Sequence, residues 1–436
     1  MRCGVPLLVL VLTGPLGAQA RDFVTVEGGG FRVGDQPYHF VGVNLWYGMN
    51  LGADHPTGDR ARLVRELDLL ADLGVTNVRV LAASEGPPDE PWRVHPSAQP
   101  GPGEYDERVL RGLDFLLAEL GKRDMRAVLV LNNFFQWSGG MAQYVSWATA
   151  DPIPYPMQDG HTWDEFQRFS ARFYGLEAAQ RRFEEYVGML IGRTNHVTGV
   201  RYADDPTIMS WQLSNEPRGF DHTEAYVAWV DQATSFIQAR ASRQLVSLGG
   251  EGKLTPNERT QFARVSRLPG LDYLTIHLWI ENWGWYDPTR PEATFATAVG
   301  RSMGYVADHV AIAEQVRKPM VLEEFGVSRD GLDHSPEAPV TYRDAFFRII
   351  FAAAHHLASE GSVLVGANVW SWSGEGRPVE AGEYWRPGDP VTGDPPHERQ
   401  GWYSIYGEDA STLELIREYA MRMARLSEAA RPGSER

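Results

Sequence analysis

The stretch FVGVNL at residues 40–45, followed by RLVRELDLLADL at 62–73 and NVRVLA at 77–82, forms a strand–helix–strand unit. The first and last pieces are short apolar runs, as expected of strands that are buried on both faces. The middle piece places Leu63, Leu67, Leu70 and Ala71 on one side of a helix. The unit therefore predicts two parallel strands that are joined by a helix packed against their sheet.

The same alternation continues to residue 370. Further strands are predicted at 127–131, 208–213, 244–248, 273–278, 320–323 and 363–370, and further helices at 107–120, 177–194, 223–240, 292–316 and 342–359. Eight strands separated by helices indicate an α/β fold of the (β/α)8 barrel type, preceded by a small β-hairpin at 23–33. A doubly wound sheet is the alternative, but no Gly-x-Gly-x-x-Gly pattern follows the first strand.

The charge and the amino terminus restrict the partners and the location. The chain has 57 acidic residues against 41 Lys and Arg, a net charge of −16, without a basic run, so nucleic acid is not an expected partner. A positive start, an apolar run at 5–12 and Ala18-Gln19-Ala20 predict a secretory signal peptide at 1–20. Its removal after Ala20 would take Cys3, the only cysteine. We expect one catalytic domain at 21–436, secreted or periplasmic, and no span of a membrane.

Two long segments, 132–174 and 373–403, are rich in aromatic residues. They follow the third and eighth strands at the carboxyl end of the barrel, where barrel enzymes build their active sites. Their aromatic side chains either line a cleft for a ligand with flat apolar faces or pack on one another within the loops.

Polar clusters end three of the predicted strands. Asn215 and Glu216 follow the fourth strand, Glu324 ends the seventh, and His277 lies in the sixth. The fourth and seventh strands end across the barrel mouth from each other, so their two carboxyl groups are expected to converge. A facing pair of carboxyl groups is the apparatus of glycoside hydrolysis.

In this order, and with Arg79 in the second strand, the motifs resemble glycoside hydrolase family 5. Other stretches are similar to its β-mannanase branch, subfamily 7: GVNLWYG at 42–48, NN at 132–133, NEPR at 215–218, NW at 282–283 and NVWSW at 368–372. The resemblance runs from residue 23 to the segment after the eighth strand.

The resemblance implies Glu216 as general acid/base and Glu324 as nucleophile. Arg79 would keep the nucleophile ionised while Glu216 stays protonated near neutral pH, Asn215 would hold the 2-hydroxyl of the sugar, and His277 would orient the acid/base. The other implied substrate contacts are Trp370 beneath the scissile sugar, Arg218 on the leaving-group side, Trp46, Asn133 and Trp279.

Three positions leave choices open. The family usually has Tyr where this chain has Trp279, with a hydroxyl that donates to the nucleophile, so the indole N–H is expected to take that role in altered geometry. Glu323 competes with Glu324, but alternation along a strand predicts that only one faces the barrel mouth. Trp372 competes with Trp370 by the same alternation.

The activity implied by the resemblance is retaining endo-hydrolysis of β-1,4-mannosidic linkages in mannan, galactomannan or glucomannan. It implies a monomer without a metal or cofactor, acting on a β-mannan-type polysaccharide or oligosaccharide. The alternatives are a β-1,4-glucanase, an exo-acting mannosidase or mannobiohydrolase, and a sugar-binding barrel without catalysis. A serine hydrolase is disfavoured because no Gly-x-Ser-x-Gly stands at a predicted strand–helix turn.

Overall fold

A small antiparallel sheet comes first in the computed structural model, which describes residues 21–88, 90, 92–253 and 255–429. Strands β1 (Val24–Glu27), β2 (Gly30–Val33) and β3 (Gln36–Pro37) pair in that order. The Phe31 ring contacts Phe40 and Tyr273, with ring centroids 6.3 and 5.2 Å apart. Since these two residues stand at the starts of barrel strands, the sheet covers the amino-terminal end of the barrel. The predicted signal peptide at 1–20 lies outside the described residues.

Eight parallel strands form the barrel, and every residue in them is buried. They are β4 (Phe40–Asn44), β5 (Asn77–Leu81), β6 (Arg126–Val130), β7 (Ile208–Gln212), β8 (Leu245–Ser247), β9 (Leu274–Leu278), β10 (Met320–Phe325) and β11 (Leu364–Val369). They pair in the order β8-β7-β6-β5-β4-β11-β10-β9. Between β8 and β9, the backbone N–H of Asp272 donates to Val246 at 2.9 Å and that of His277 to Glu251 at 2.9 Å. The predicted (β/α)8 barrel is confirmed, and the predicted strand ends differ by at most two residues.

Helices surround the strands, and local caps fix where several of them begin. They are α1 (Gly48–Leu51), α2 (Arg60–Asp72), α3 (Glu107–Lys122), α4 (Gly140–Thr149), α5 (Trp163–Ala171), α6 (Glu177–Gly192), α7 (Thr223–Gln238), α8 (Pro256–Val265), α9 (Pro291–Val316), α10 (Thr341–Ser359) and α11 (Ala410–Ala429). The Asp59 side chain accepts from the Arg62 N–H and starts α2. Helix α8 was not predicted because few of its residues are apolar, although the Thr255–Glu258 capping box marks its start. Within the described ranges, no helix is long and apolar enough to cross a membrane.

The aromatic residues of segment 132–174 divide between the two expected roles. Phe134 and Tyr144 are fully buried within the protein, as self-packing requires. Phe135, Trp137 and Trp163 line the cavity at the barrel mouth, as a binding cleft requires. The segment also contains α4 and α5, so it is an insertion with its own structure rather than a simple loop.

Trp372 is turned away from the barrel mouth. It begins β12 (Trp372–Gly374), which pairs with β13 (Ile405–Tyr406), and its indole N–H donates to Glu66 on α2 at 3.2 Å. Trp370 instead lines the cavity. Of the two tryptophans, the structure therefore places Trp370 where a sugar could bind.

Candidate active site

Glu216 is held in place by backbone hydrogen bonds that extend the barrel ladder beyond β7. The Asn215 N–H donates to the Asn132 carbonyl at 2.9 Å, and the Glu216 N–H donates to the Gly249 carbonyl at 2.8 Å. The loops after β6 and β8 thus fix the chain on both sides. A Cβ atom at Gly249 would lie 1.9 Å from the Ser214 carbonyl oxygen, so only glycine permits this close approach.

Arg79 on β5 connects four side chains that come from three other strands or their ends. Its Nη1 donates to Glu324 Oε1 and, at 3.0 Å, to Asn44 Oδ1. Its Nε donates to Gln212 Oε1 at 2.8 Å, and its Nη2 to Asn215 Oδ1 at 2.9 Å. With only 3% of its surface exposed, the guanidinium is a buried cation that orients Glu324 and Asn215 together.

His277 on β9 lies between the two carboxyl groups. Its Nδ1 is 2.6 Å from Glu216 Oε1 and 3.2 Å from Glu324 Oε2. One ring nitrogen of His277 and one carboxylate oxygen from each of Glu216 and Glu324 lie within 4.8 Å of one another. This spacing agrees with the roughly 5–5.5 Å between the carboxyl groups of retaining glycosidases, and is shorter than the roughly 6.5–9.5 Å of inverting ones.

The same three side chains could surround a cation by distance alone, but the charge on His277 disfavours this. Burial lowers the pKa of the imidazole, yet the Glu324 and Glu216 carboxylates outweigh burial and raise it to about 10. A protonated imidazole has no lone pair to offer a metal ion. The cluster therefore holds a protonated imidazole between two carboxyl groups.

Glu323 also reaches this cluster, although of the two adjacent glutamates only Glu324 lines the cavity at the barrel mouth. The register between β10 and β9 shifts between Leu322 and Glu324, so simple alternation fails at this point. Glu323 accepts hydrogen bonds from Gln212 Nε2 at 2.8 and 3.0 Å and lies 3.4 Å from Arg79 Nε. It is a buried second counter-ion for Arg79, while Glu324 lines the cavity.

The cleft itself is a cavity of about 560 Å³ at the carboxyl end of the barrel. Its size falls in the range typical of ligand pockets. Both catalytic candidates, several predicted sugar contacts and many aromatic rings line it: Phe135, Trp137, Met157, Trp163, Gln167, Asn215, Glu216, Arg218, Glu251, Glu258, Trp279, Asn282, Trp283, Glu324, Trp370, Tyr384, Pro395, His397, Glu398 and Trp402. Several flat apolar faces in one cleft suit successive sugar rings.

Arg218 is clamped at one side of this cavity. Its Nη1 donates to Gln167 Oε1 at 2.6 Å, its Nη2 lies 2.8 Å from Glu251 Oε1, and its guanidinium stacks over Phe135. Burial raises the pKa of Glu251 to about 8, while Arg218 acts in the opposite direction. Glu251 was not predicted from the sequence, although its place just after the fifth barrel strand was the available signal.

Two predicted substrate contacts lie behind the cavity wall. The Trp46 indole N–H donates to the Gly393 carbonyl at 2.7 Å. Asn133 is fully buried; its Oδ1 accepts from the Phe135 N–H at 3.0 Å and from Asn215 Nδ2 at 3.3 Å. Neither side chain lines the main cavity, but Trp46 lines a small pocket that it shares with Arg79 and Trp370. Asn133 thus supports Asn215 from behind the wall of the main cavity.

Trp279 lines the cavity, but its hydrogen bond is not the expected one. The indole N–H donates to Glu216 Oε1 at 3.0 Å, whereas the resemblance placed a donor from this position on the nucleophile, Glu324. Glu324 receives its donors from Arg79 and lies close to His277. The prediction that the Trp279 N–H donates to Glu324 is therefore wrong.

Segment 375–404, which joins β12 to β13, brings into the cavity two further residues that were not predicted from the sequence. The His397 ring lies parallel to Trp137, with centroids 6.2 Å apart and planes 2° apart, and meets Trp163 edge-on. Glu398 lines the cavity next to it, and burial raises the pKa of its carboxyl well above the usual range. Only their place in a long segment after the eighth strand could have pointed to them.

The pKa values of the two facing carboxyl groups differ from the expectation that Glu324 is ionised while Glu216 is protonated. Burial raises the pKa of Glu324 to about 7, although His277 and Arg79 act in the opposite direction. Burial also acts against ionisation of Glu216, but the hydrogen bond and charge of His277, together with Arg218 and the Trp279 N–H, outweigh burial and lower its pKa. If both groups were ionised, two negative charges would stand side by side. At pH values between the two pKa values, the pair therefore shares one proton.

Comparison with known proteins gives a consistent result. Residues 21–428 match the family model described as GH family 5 beta-mannosidase-like. The chain is 29% identical over 420 residues to mannan endo-1,4-beta-mannosidase 5 of Arabidopsis thaliana, covering 92% of this chain and 88% of that protein. It is 39% identical to the glycoside hydrolase family 5 mannosidase of Rhizomucor miehei, with a TM-score of 0.87 and coverage of 93% and 99%. A variant of that mannosidase, 38% identical over 93% of this chain and 98% of its own, with the same TM-score, has been solved in complex with mannosyl-fructose.

Proposed function

Because this chain belongs to glycoside hydrolase family 5, in its β-mannosidase-like group, we propose that it hydrolyses β-1,4-mannosidic linkages within mannans, with retention of configuration. The observation that carries the proposal is the meeting of Glu216 and Glu324, whose ligand atoms lie within 4.8 Å of each other across His277. The mannan endo-1,4-beta-mannosidase of Arabidopsis thaliana and the mannosidase of Rhizomucor miehei support mannose as the sugar.

The arrangement supports a double displacement. Glu324, oriented by Arg79, attacks the anomeric carbon, and Glu216 gives its proton to the glycosidic oxygen as the C–O bond breaks. The products of this step are a glycosyl ester on Glu324 and the leaving fragment, whose 4-hydroxyl is a new non-reducing end. Glu216, now ionised, takes a proton from water, and the resulting hydroxide attacks the anomeric carbon and releases Glu324. The two inversions leave the β-anomer.

The shared proton predicts how the rate depends on pH. The active form holds one proton on the pair, placed on Glu216, so kcat/KM should fall as pH rises through about 7, where this proton is lost. It should also fall at acid pH, below the ordinary carboxyl pKa of 4.5, where the pair takes up its second proton. His277 stays protonated throughout because its pKa is about 10.

Initial rates on mannotriose, measured across the pH range at substrate concentrations below KM, give this profile directly. A bell-shaped curve with its alkaline limb near neutral pH is the expected result. A rate that stays constant well into the alkaline range would contradict a proton shared between Glu216 and Glu324.

Exo-action is a second candidate, and contacts of segment 375–404 favour it. The His397 ring lies parallel to Trp137 with centroids 6.2 Å apart, and so takes up space beside a ring on which a sugar could stack. The Trp46 hydrogen bond to Gly393 ties the same segment to the loop after β4. If these contacts close the cleft beyond the scissile sugar, only the terminal mannose of a chain enters.

A product profile separates the two modes. Endo-action on linear mannan should release mannose oligomers of several lengths from the first minutes and lower the viscosity quickly. Exo-action should release mannose alone from mannan and from mannopentaose. Carboxymethylcellulose tests the β-1,4-glucanase alternative. Faster hydrolysis of carboxymethylcellulose than of any mannan substrate would contradict the proposed sugar, and no turnover of any of these would favour a binding protein.

We also propose that the enzyme is exported and that its signal peptide is cleaved after Ala20. The support is the order of a positive start, an apolar run and Ala18-Gln19-Ala20. Mass spectrometry of the protein recovered from the medium or periplasm should find Arg21 at its amino terminus. Recovery of the uncleaved chain from the cytoplasm would contradict export.

A further inference from the structure

The two oxygens of the Glu216 carboxyl group have different surroundings. Oε1 lies 3.0 Å from the Trp279 indole nitrogen and 2.6 Å from His277 Nδ1. Oε2 lies 3.7 Å from Arg218 Nη2, which is too far for a hydrogen bond. Two N–H donors directed at Oε1 occupy its lone pairs, so a proton on this carboxyl group belongs on Oε2.

We propose that Trp279 is a positioning residue of the acid/base: together with His277 it holds Glu216 Oε1 and keeps the transferable proton on Oε2, toward the cavity. The inference rests on the proposed function, because it takes Glu216 as the acid. It differs from a simple substitute for the family tyrosine, since the donor acts on the acid/base and not on the nucleophile.

Packing fixes the indole in this orientation. The Trp279 ring meets Trp370 edge-on, with centroids 5.9 Å apart, and Tyr403 at 5.2 Å. A Cβ atom at Gly326 would lie 3.3 Å from Trp279 Cζ3 and 2.8 Å from the Trp370 carbonyl oxygen. The glycine of the Glu-Phe-Gly motif thus leaves the space that the bicyclic ring fills, and the N–H remains pointed at Glu216.

His277 contacts both the acid/base Glu216 and the nucleophile Glu324. Its Nδ1 lies within 3.2 Å of Glu324 as well as 2.6 Å from Glu216, so it cannot restrain Glu216 independently of the nucleophile. Trp279 contacts only the acid/base of the two. A donor dedicated to Oε1 keeps Glu216 oriented when Glu324 turns to form and release its ester.

The indole N–H also affects when Glu216 loses its proton. A hydrogen bond to a carboxylate stabilises the charged form and lowers the pKa. The charged and titratable groups that face Glu216 are His277, Arg79, Arg218, Glu251, Glu324, Glu398 and Tyr305. None of them changes when only the Trp279 N–H is removed. Its removal should therefore raise the pKa of Glu216 and move the alkaline limb of kcat/KM to higher pH.

The test is the pH profile of Trp279→Phe on mannotriose. We expect the alkaline limb to move up by about one pH unit, the shift that loss of one hydrogen bond to a charged group produces. We expect kcat/KM near neutral pH to fall about tenfold on mannotriose and less on 2,4-dinitrophenyl β-mannoside, whose leaving group needs little acid assistance. An equal loss at every pH, with the limb unmoved, would overturn the proposal.

Trp402→Phe is the matched control. Its indole also lines the cavity, but the N–H donates to Glu281 at 3.1 Å, so the alkaline limb should stay in place. If Trp279→Phe fails to fold, 3-benzothienylalanine at position 279 keeps the bicyclic shape and replaces N–H by sulfur, and the same shift is expected. Because the wild-type enzyme is measured alongside, absence of hydrolysis by the wild type counts against the proposed function, whereas an unmoved limb in an active variant counts against this inference alone.

Discussion

Glu324→Ala should reduce kcat on mannan oligosaccharides by roughly 10⁴- to 10⁶-fold, the range found when a residue that forms the covalent intermediate is removed. The fold should persist, because the neighbouring charges still balance. Arg79 keeps Glu323 at 3.4 Å, and His277 keeps Glu216 at 2.6 Å. Thermal unfolding should therefore remain cooperative, which separates loss of chemistry from loss of structure.

Azide provides the positive test of the role of Glu324. The truncated side chain leaves room for this small anion beside Arg79, so azide should restore turnover of 2,4-dinitrophenyl β-mannoside. The product should be α-mannosyl azide, because only one inversion occurs. Glu375→Ala is the control: this glutamate pairs with Arg65 at the surface, and its removal should leave kcat within about twofold of wild type. Residual activity above a few per cent in Glu324→Ala would remove Glu324 from the nucleophile role.

The barrel is predictable from the sequence because its strands are buried on both faces. Runs such as 126–130 (RAVLV) and 364–369 (LVGANV) contain few polar residues, and their lengths match strands rather than helices. The positions of Glu216 and Glu324 follow from the same feature. Once eight parallel strands close a barrel, every strand end reaches one rim, so residues 108 positions apart in the chain meet there.

Side-chain direction within the site was less predictable. Alternation along a strand separates Glu323 from Glu324, but the register shift between β10 and β9 brings both to Arg79. A shift of this kind depends on the neighbouring strand and leaves no pattern in the strand itself. The partner of Trp279 was missed for a similar reason, because it depends on packing against Trp370 and Tyr403, which lie far away in the chain.

Which carboxyl groups of the site are ionised could not be predicted at all from residue identities. Arg79 alone predicts an ionised Glu324, yet burial and the nearby Glu216 and Glu323 carboxylates act against it, and the pKa is about 7. The pKa of Glu324 depends on the distances between five buried groups that come from four strands or strand ends. What the sequence does contain is the set of groups: two cations and three carboxyl groups, which balance when the carboxyl groups hold one proton.

Glu216→Ala should separate the two steps of the reaction. On mannotriose, kcat/KM should fall by about 10²- to 10⁴-fold, the usual contribution of a general acid. On 2,4-dinitrophenyl β-mannoside the first step needs no acid and should proceed, but water then lacks its base. The mannosyl ester on Glu324 should accumulate, visible as a burst of dinitrophenolate equal to the enzyme concentration and as an added hexosyl mass on the protein.

Azide distinguishes this variant from Glu324→Ala by the anomer of the product. In Glu216→Ala the anion needs no general base and attacks the mannosyl ester, so the second inversion gives β-mannosyl azide. Opposite anomers from two variants of the same site would follow only if one carboxyl group is the nucleophile and the other the acid/base. If Glu216→Ala lost activity equally on both substrates and formed no ester, Glu216 would be a structural partner of His277, and the proton donor would have to be sought among the other acids of the cavity, Glu251 and Glu398.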